Sequence, residues 1–526
     1  MPSLVRSASP RHNGITKLTN CRLVRGDELV WDDVWVSSAT GKIIRSQAAF
    51  YDELIMPDEV IDLGGRIVSP GFIDCQLNGA YGFNFSTLLD DMTQYGKQVR
   101  DLNRKLVRTG VTSYIPTVTS QTSDLYKGVL PYLGPSGSSR RPHDGAESLG
   151  AHVEGPFLSP TKNGIHNRSV LRVASSFADL EEMYGAANIN PRCPNPEVEV
   201  HSPSSSSSSS SNNSSTSLPS SPVSSSSFSS ASSSDAQAAR NSTIPVKMIT
   251  AAPELGAMTR LIPELTSRGI VVSVGHSEAT YEEASAAVSA GATMITHLFN
   301  AMRPLHHRNP GIFGVLGTNT TTPSTTSSSI STAAAAVPAV ATSQRQQQQP
   351  QQPQPQQQQP GQKRRRPYFG IISDGIHLHP TTVKIAWHAH PQGLILVTDA
   401  MHMVGLPDGR YAWTNGEGEH YIIKKGSVLE LEGTGGTIAG SAVTLLECVN
   451  NFLHWTGATL PQALKAVTAT PAAMLGVQGV KGSLEAGADA DLVVLSEAAG
   501  EEGRTELVVD EVWKFGVRVF ERKKLV

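Results

Sequence analysis

Cysteine is nearly absent: the 526 residues hold four, Cys21, Cys75, Cys193 and Cys448, far apart and with no CxxC pair. That scarcity excludes a disulfide framework and a cysteine-built zinc site. It fits a protein of the reducing cytosol, so a cytoplasmic location is expected. Long apolar runs are missing as well. None reaches the length of a membrane span, and the N-terminus lacks a basic segment followed by an apolar stretch, so no membrane partner is expected. An excess of charge of one sign is also lacking. Lys and Arg total 43 against 46 Asp and Glu, a net charge of −3, which excludes nucleic-acid binding through a broad basic field.

Apolar residues make up only 39% of the chain, and the shortfall sits in two tracts. Residues around 202–234 are almost pure serine. Residues around 320–366 pass from Thr/Ser through Ala and Gln/Pro to Lys363-Arg364-Arg365-Arg366. Such compositions bury too little apolar area to offset the entropy of ordering, so disordered insertions are expected at about 198–243 and 319–366. The basic cluster reads as a solvated charge run in preference to a nuclear-import signal.

With these tracts set aside, short β-branched runs recur, many followed by an amphipathic stretch and a glycine turn, the pattern of βα units. Eight strands are expected: 67–73, 111–117, 149–154, 246–251, 270–275, 293–297, 369–374 and 394–399. Glycine closes the helices before two of them, in LNRKLVRTG (102–110) and LIPELTSRG (261–269), where a left-handed C-cap is needed. No GxGxxG follows the first strand, which counts against a dinucleotide fold. The reading is an α/β (β/α)8 barrel over 67–477, with the terminal segments 14–66 and 478–526 meeting in a small β-sandwich domain.

In a barrel, reactive groups gather at the C-terminal ends of the strands. Here those ends carry Asp74 with Gln76 and Asn78, then His152 and Glu154, Glu254, His276, His297, Asp374 and Asp399. Two histidines, one glutamate and one aspartate on four strand ends suit a divalent ion, with the second carboxylate free for proton transfer. Two HxH pairs also occur. His388 and His390 fall on the helix after strand seven, away from the mouth, and read as structural. His377 and His379 follow a strand end directly, which brings His377 to the substrate. The glycine run Thr434–Ser441 lacks the Lys-Ser/Thr of a phosphate loop and reads as a turn closing the barrel.

The blocks PGFIDCQLNG, HVEGPFLSP, KNGIHN, VGHSEAT, THLFNAM, SDGIHL and VTDAM, in this order, resemble the N-acetylglucosamine-6-phosphate deacetylases of the amidohydrolase superfamily. The resemblance runs from about residue 15 to 523 apart from the two insertions. It implies metal ligands Glu154, His276 and His297, a general acid/base Asp399, and His166 near the acetamide. It further implies sugar-phosphate contacts from Asn300, Ala301, Arg308 and His377, some of them crossing to a neighbouring subunit, hence a homodimer. Many superfamily members carry HxH after strand one, where Gln76-Leu77-Asn78 stands here. Neutral amides are poor ligands, so Gln76 and Asn78 are expected as outer partners of a site holding one divalent ion, be it zinc, iron, cobalt or manganese. The implied partner is a phosphorylated amino sugar. Two rival readings are an amidohydrolase acting on another N-acylated or cyclic amide, and a catalytically silent sugar-phosphate binding protein.

Overall fold

The computed structural model describes residues 13–46, 56–190, 244–317, 366–414, 420–500 and 503–523. Both low-complexity tracts, Cys193 and Lys363–Arg365 lie outside the described residues, and with them the expectations of disorder and of a nuclear signal. Arg366 is described, and its guanidinium bonds the carbonyls of Leu316 (3.1 Å) and Ala389 (3.2 Å).

Eight parallel strands form the barrel: β1 (Phe72–Leu77), β2 (Val111–Val118), β3 (Ala151–Glu154), β4 (Val246–Ala251), β5 (Val271–Val274), β6 (Met294–Ile295), β7 (Tyr368–Ile372) and β8 (Leu394–Val397). Each pairs with the next. The circle closes at the top, where Leu77 bridges Ala400 and the Asp399 N–H donates to the Gln76 carbonyl at 2.9 Å. Side chains alternate along the strands. In β8, Ile395 and Val397 join Ile73, Cys75, Ile115 and Met294 in an inner core, while Leu394 and Leu396 face the helical layer. The expected glycine stops are present, with Gly110 at φ +89° and Gly269 at φ +79°.

Two regions differ from expectation. The first expected strand is two. Ile67–Pro70 lies between Leu492–Ala499 and Ile15–Arg25 in an eight-stranded terminal sheet, and only Phe72–Leu77 belongs to the barrel. Gly71 makes the transfer at a point with no room for a side chain, since a Cβ there would stand 2.1 Å from the Thr112 hydroxyl. The glycine run at 434–441 does not close the barrel. It forms the last turn and strand of a four-stranded antiparallel sheet, Gly409–Trp413, His420–Lys425, Val428–Leu431 and Ile438–Ser441, inserted after β8. This sheet has its own core of Met401, Met403, Trp413, Ile422, Leu429 and Ala439.

The terminal sheet is keyed to the bottom of the barrel by buried charge. Lys514 is fully buried and donates to the Thr112 carbonyl (3.0 Å), Glu147 (2.6 Å) and Asp491 (2.8 Å). Lys481 reaches the same Glu147 and Asp491, and Asp489 at 2.8 Å. Taking one cation out strands carboxylates in a dry interface. Lys514→Met should therefore lower unfolding free energy by about 3–5 kcal/mol in chemical denaturation. A change below about 1 kcal/mol would show that Lys481 alone neutralises the cluster.

Candidate active site

The chain bends sharply as it leaves the strands at the barrel mouth. His276 (φ +49°), His297 (+26°), Phe299 (+77°), Ala301 (+48°) and Asp399 (+47°) all occupy the left-handed region, which non-glycine residues seldom adopt. Each such residue costs on the order of 1–3 kcal/mol unless its surroundings hold it. The bends turn the side chains back toward the barrel axis. Glu154, His166, His276, His297, Asn300, Ala301, His377 and Asp399 thereby share one cavity of about 180 Å³ with Asn78 and Thr119.

Glu154 is the centre. Its Oε1 lies 3.2 Å from His276 Nε2, 3.1 Å from His297 Nε2 and 3.0 Å from Gln76 Nε2, which donates to it. The two imidazole nitrogens are 3.0 Å apart. Burial opposes ionisation of Glu154, but the hydrogen bonds from both histidines outweigh it and keep the carboxyl well below its usual range. Burial also disfavours a charged His297, yet the Glu154 hydrogen bond and charge raise it to about 9. Such a carboxylate with two converging imidazoles suits a divalent cation, which competes with protons for the same lone pairs.

Hydrogen bonding decides which histidines can ligate. His276 Nδ1 faces the Lys162 carbonyl at 2.8 Å. A carbonyl only accepts, so Nδ1 carries a proton, and once a cation displaces the proton that Nε2 shares with Glu154 that nitrogen offers a lone pair. His166 Nδ1 instead receives the backbone N–H of Ser120 at 3.1 Å, with the Ser120 hydroxyl at 2.8 Å. Its neutral ring must then be protonated on Nε2, and burial together with nearby His276 pushes its pKa down to about 3. His166, though near enough to Glu154 and His276 to complete a ligand trio, presents a donor and not a lone pair.

Asp399 accepts the Asn78 side-chain N–H at 2.8 Å. Burial, and then the Glu154 charge, push its pKa up to about 6. His377 donates from Nδ1 to Asp374 at 2.7 Å, which leaves Nε2 for the cavity. The Asn300 side-chain nitrogen is buried and has no partner. Arg308 is exposed and does not line the cavity; its backbone N–H bonds His306 Nδ1 at 3.3 Å. His388 and His390 end the helix Pro380–Ala389 that leads into β8, at the far end of the barrel from the mouth.

Residues 453–520 match the model of the Amidohydrolase family. Over 95% of this chain and 97% of its own length, the N-acetylglucosamine-6-phosphate deacetylase of Danio rerio is 35% identical. That of Homo sapiens is also 35% identical, over 92% of each chain. The chain belongs to the N-acetylglucosamine-6-phosphate deacetylase family. The fold agrees with a variant of the Mycobacterium smegmatis N-acetyl-D-glucosamine-6-phosphate deacetylase, solved in complex with N-acetyl-D-glucosamine-6-phosphate. That structure has a TM-score of 0.62 at 23% identity and covers 96% of this chain and 98% of that one. Membership of the amidohydrolases implies a divalent metal.

Several residues in and behind the cavity carry no chemical signal in the sequence. Ser120, which sets the His166 tautomer, is one serine among many, and Ile438 and Gly440 arrive on a sheet whose placement depends on packing. The tautomers are directly observable. Nitrogen-15 NMR of the metal-loaded protein at neutral pH should find His166 protonated on Nε2 alone and His276 on Nδ1. A proton on His166 Nδ1 would overturn this assignment.

Proposed function

We propose that this chain hydrolyses N-acetyl-D-glucosamine 6-phosphate to D-glucosamine 6-phosphate and acetate, a step of amino-sugar catabolism. The observation that carries the reading is the meeting of Glu154, His276 and His297 with Asp399 in one cavity, within a family that bears this name. A divalent cation held by Glu154, His276 and His297 would supply Lewis acidity and a water of lowered pKa. Asp399, pinned by Asn78, takes the proton of the attacking water and returns it to the departing amine nitrogen. His166 donates from Nε2 to the carbonyl oxygen as negative charge develops there, an effect worth on the order of 3 kcal/mol. Asn300, with its unpaired N–H group, Ala301 and His377 receive the phosphorylated sugar and so position the acetamide.

Three finer points belong to the same reading. One ion binds per subunit, because Gln76 and Asn78 turn N–H groups, not lone pairs, toward the two carboxylates; zinc, iron, cobalt and manganese all suit the ligand set. Arg308, exposed outside the cavity, serves the phosphate of a neighbouring subunit in a homodimer. Compartment follows chemistry: Cys21, Cys75 and Cys448 are free and buried, as suits the cytosol, and among the described residues no helix is long and apolar enough to cross a membrane.

The deciding assay is acetate release by metal-replete protein. Asp399→Asn should lower kcat by roughly a hundredfold to ten-thousandfold, the range for a positioned acid/base. The unphosphorylated sugar should turn over far more slowly. Because Asp399 must be ionised to act, kcat/KM should fall as pH drops through a value at or below about 6; a bound cation favours the carboxylate and moves the limb only downward. Full activity of Asp399→Asn, or no release from a folded metal-loaded sample, would shift weight to another amide or to a binding protein. Elemental analysis should find one stoichiometric ion per chain, and two would refute the single-metal site.

A further inference from the structure

Beneath the cavity lies a buried carboxyl that this chemistry leaves unused. Asp74, on β1, is 1% exposed and does not line the cavity. Its Oδ2 accepts the Thr398 hydroxyl at 2.7 Å, while Oδ1 accepts the backbone N–H groups of Gln76 (3.2 Å) and Thr398 (3.4 Å). Those two residues hold the reacting groups. Thr398 immediately precedes Asp399, and its hydroxyl also accepts the Ala400 N–H at 3.2 Å. Gln76 accepts the Asp399 N–H on its carbonyl at 2.9 Å and donates its side chain to Glu154. Asp399 itself is held at φ +47°, a conformation its own backbone does not favour.

We infer that Asp74 is a positioning residue for the deacetylation: through Thr398 and Gln76 it sets the bend that aims the Asp399 carboxylate. The clamp joins the last barrel strand to the first at the point where the barrel closes, so the geometry of the base depends on β1 as much as on its own loop. Because Asp74 touches neither cavity nor substrate, its loss acts on the chemical step and leaves substrate affinity alone. This inference rests on Asp399 being the base.

The test compares Asp74→Asn, Thr398→Val and Thr398→Ser in the full chain, with kcat, KM, metal content and thermal midpoint measured together. Asp74→Asn reverses the 2.7 Å bond, so that an amide N–H donates to the Thr398 hydroxyl and the hydroxyl proton turns to the Gln76 carbonyl, 3.1 Å away. Thr398→Val removes that hydroxyl at nearly constant volume, and decides the matter if the Asp74 variant fails to fold. Both should lower kcat by about tenfold to a hundredfold, the scale of a small misplacement of a reacting group. KM and metal stoichiometry should stay within about twofold of the parent enzyme on the same grounds. Thr398→Ser keeps the hydroxyl and should recover most of the loss. If kcat is unchanged in Thr398→Val, or falls only in proportion to lost metal or lost fold, the inference is overturned. If Asp399→Asn remains active, the reading of Asp399 as base has failed instead, and the two failures are told apart.

Discussion

A buried carboxylate at the mouth of the barrel governs this molecule. Glu154 is 2% exposed, and an ionised group so deep is tolerable only when its surroundings compensate for the lost water. The compensation comes from three strands at once: Gln76 on β1, His276 after β5 and His297 after β6 all turn toward the same oxygen. The left-handed bends at the two histidines follow from this need, for side chains leaving straight strands would not converge on one point. Burial raises Asp399, and the negative charge of Glu154 raises it further, so that one carboxyl tunes the other.

Below that charge the barrel is built to stay still. His152 stands between the hydroxyls of Thr117 (3.2 Å) and Thr250 (2.7 Å), and Thr250 and Ser273 both reach Thr296. Burial lowers the His152 pKa to about 4, so it stays neutral. This satisfied polar layer separates the site from the apolar plug of Met474, Leu475 and the inner strand residues. At the far end, Lys514 and Lys481 tie the terminal sheet to the barrel through Glu147 and Asp491. Both ends of the barrel thus depend on charges that are buried because they are paired, one set serving chemistry and the other assembly.

The division of labour along β1 is the clearest departure from the wider superfamily. In place of two histidines, β1 and the residue after it offer two amides, and each has found a carboxylate: Gln76 serves Glu154 and Asn78 serves Asp399. Asp74, two residues before Gln76, reaches across the closure to Thr398. A strand end that carries histidines in many superfamily members here directs two amide N–H groups at two carboxylates.

Much of this was legible in the chain. Strand ends rich in His, Glu and Asp pointed to a barrel mouth because side chains at those positions must face one another once the strands close. Seven motif blocks in order identified the family. Gln76 and Asn78 stood out in the sequence as amides where histidines are common, and the structure sets each against a carboxylate, Glu154 and Asp399. What it left undetermined depends on directions in space. Ile67–Pro70 reads like a barrel strand, and only pairing with Leu492–Ala499 assigns it to the terminal sheet. The glycine run at 434–441 reads as a turn, and only packing around Trp413 and Met401 makes its last strand a wall of the site. His166 and His276 are the same residue type at similar depth; a Ser120 N–H against one and a Lys162 carbonyl against the other put the proton of the first on Nε2 and a proton of the second on Nδ1. Residue type and order determined which chemistry was available. Tertiary structure decided which nitrogen, oxygen and proton perform it, because hydrogen bonds are directional and sequence spacing carries no direction.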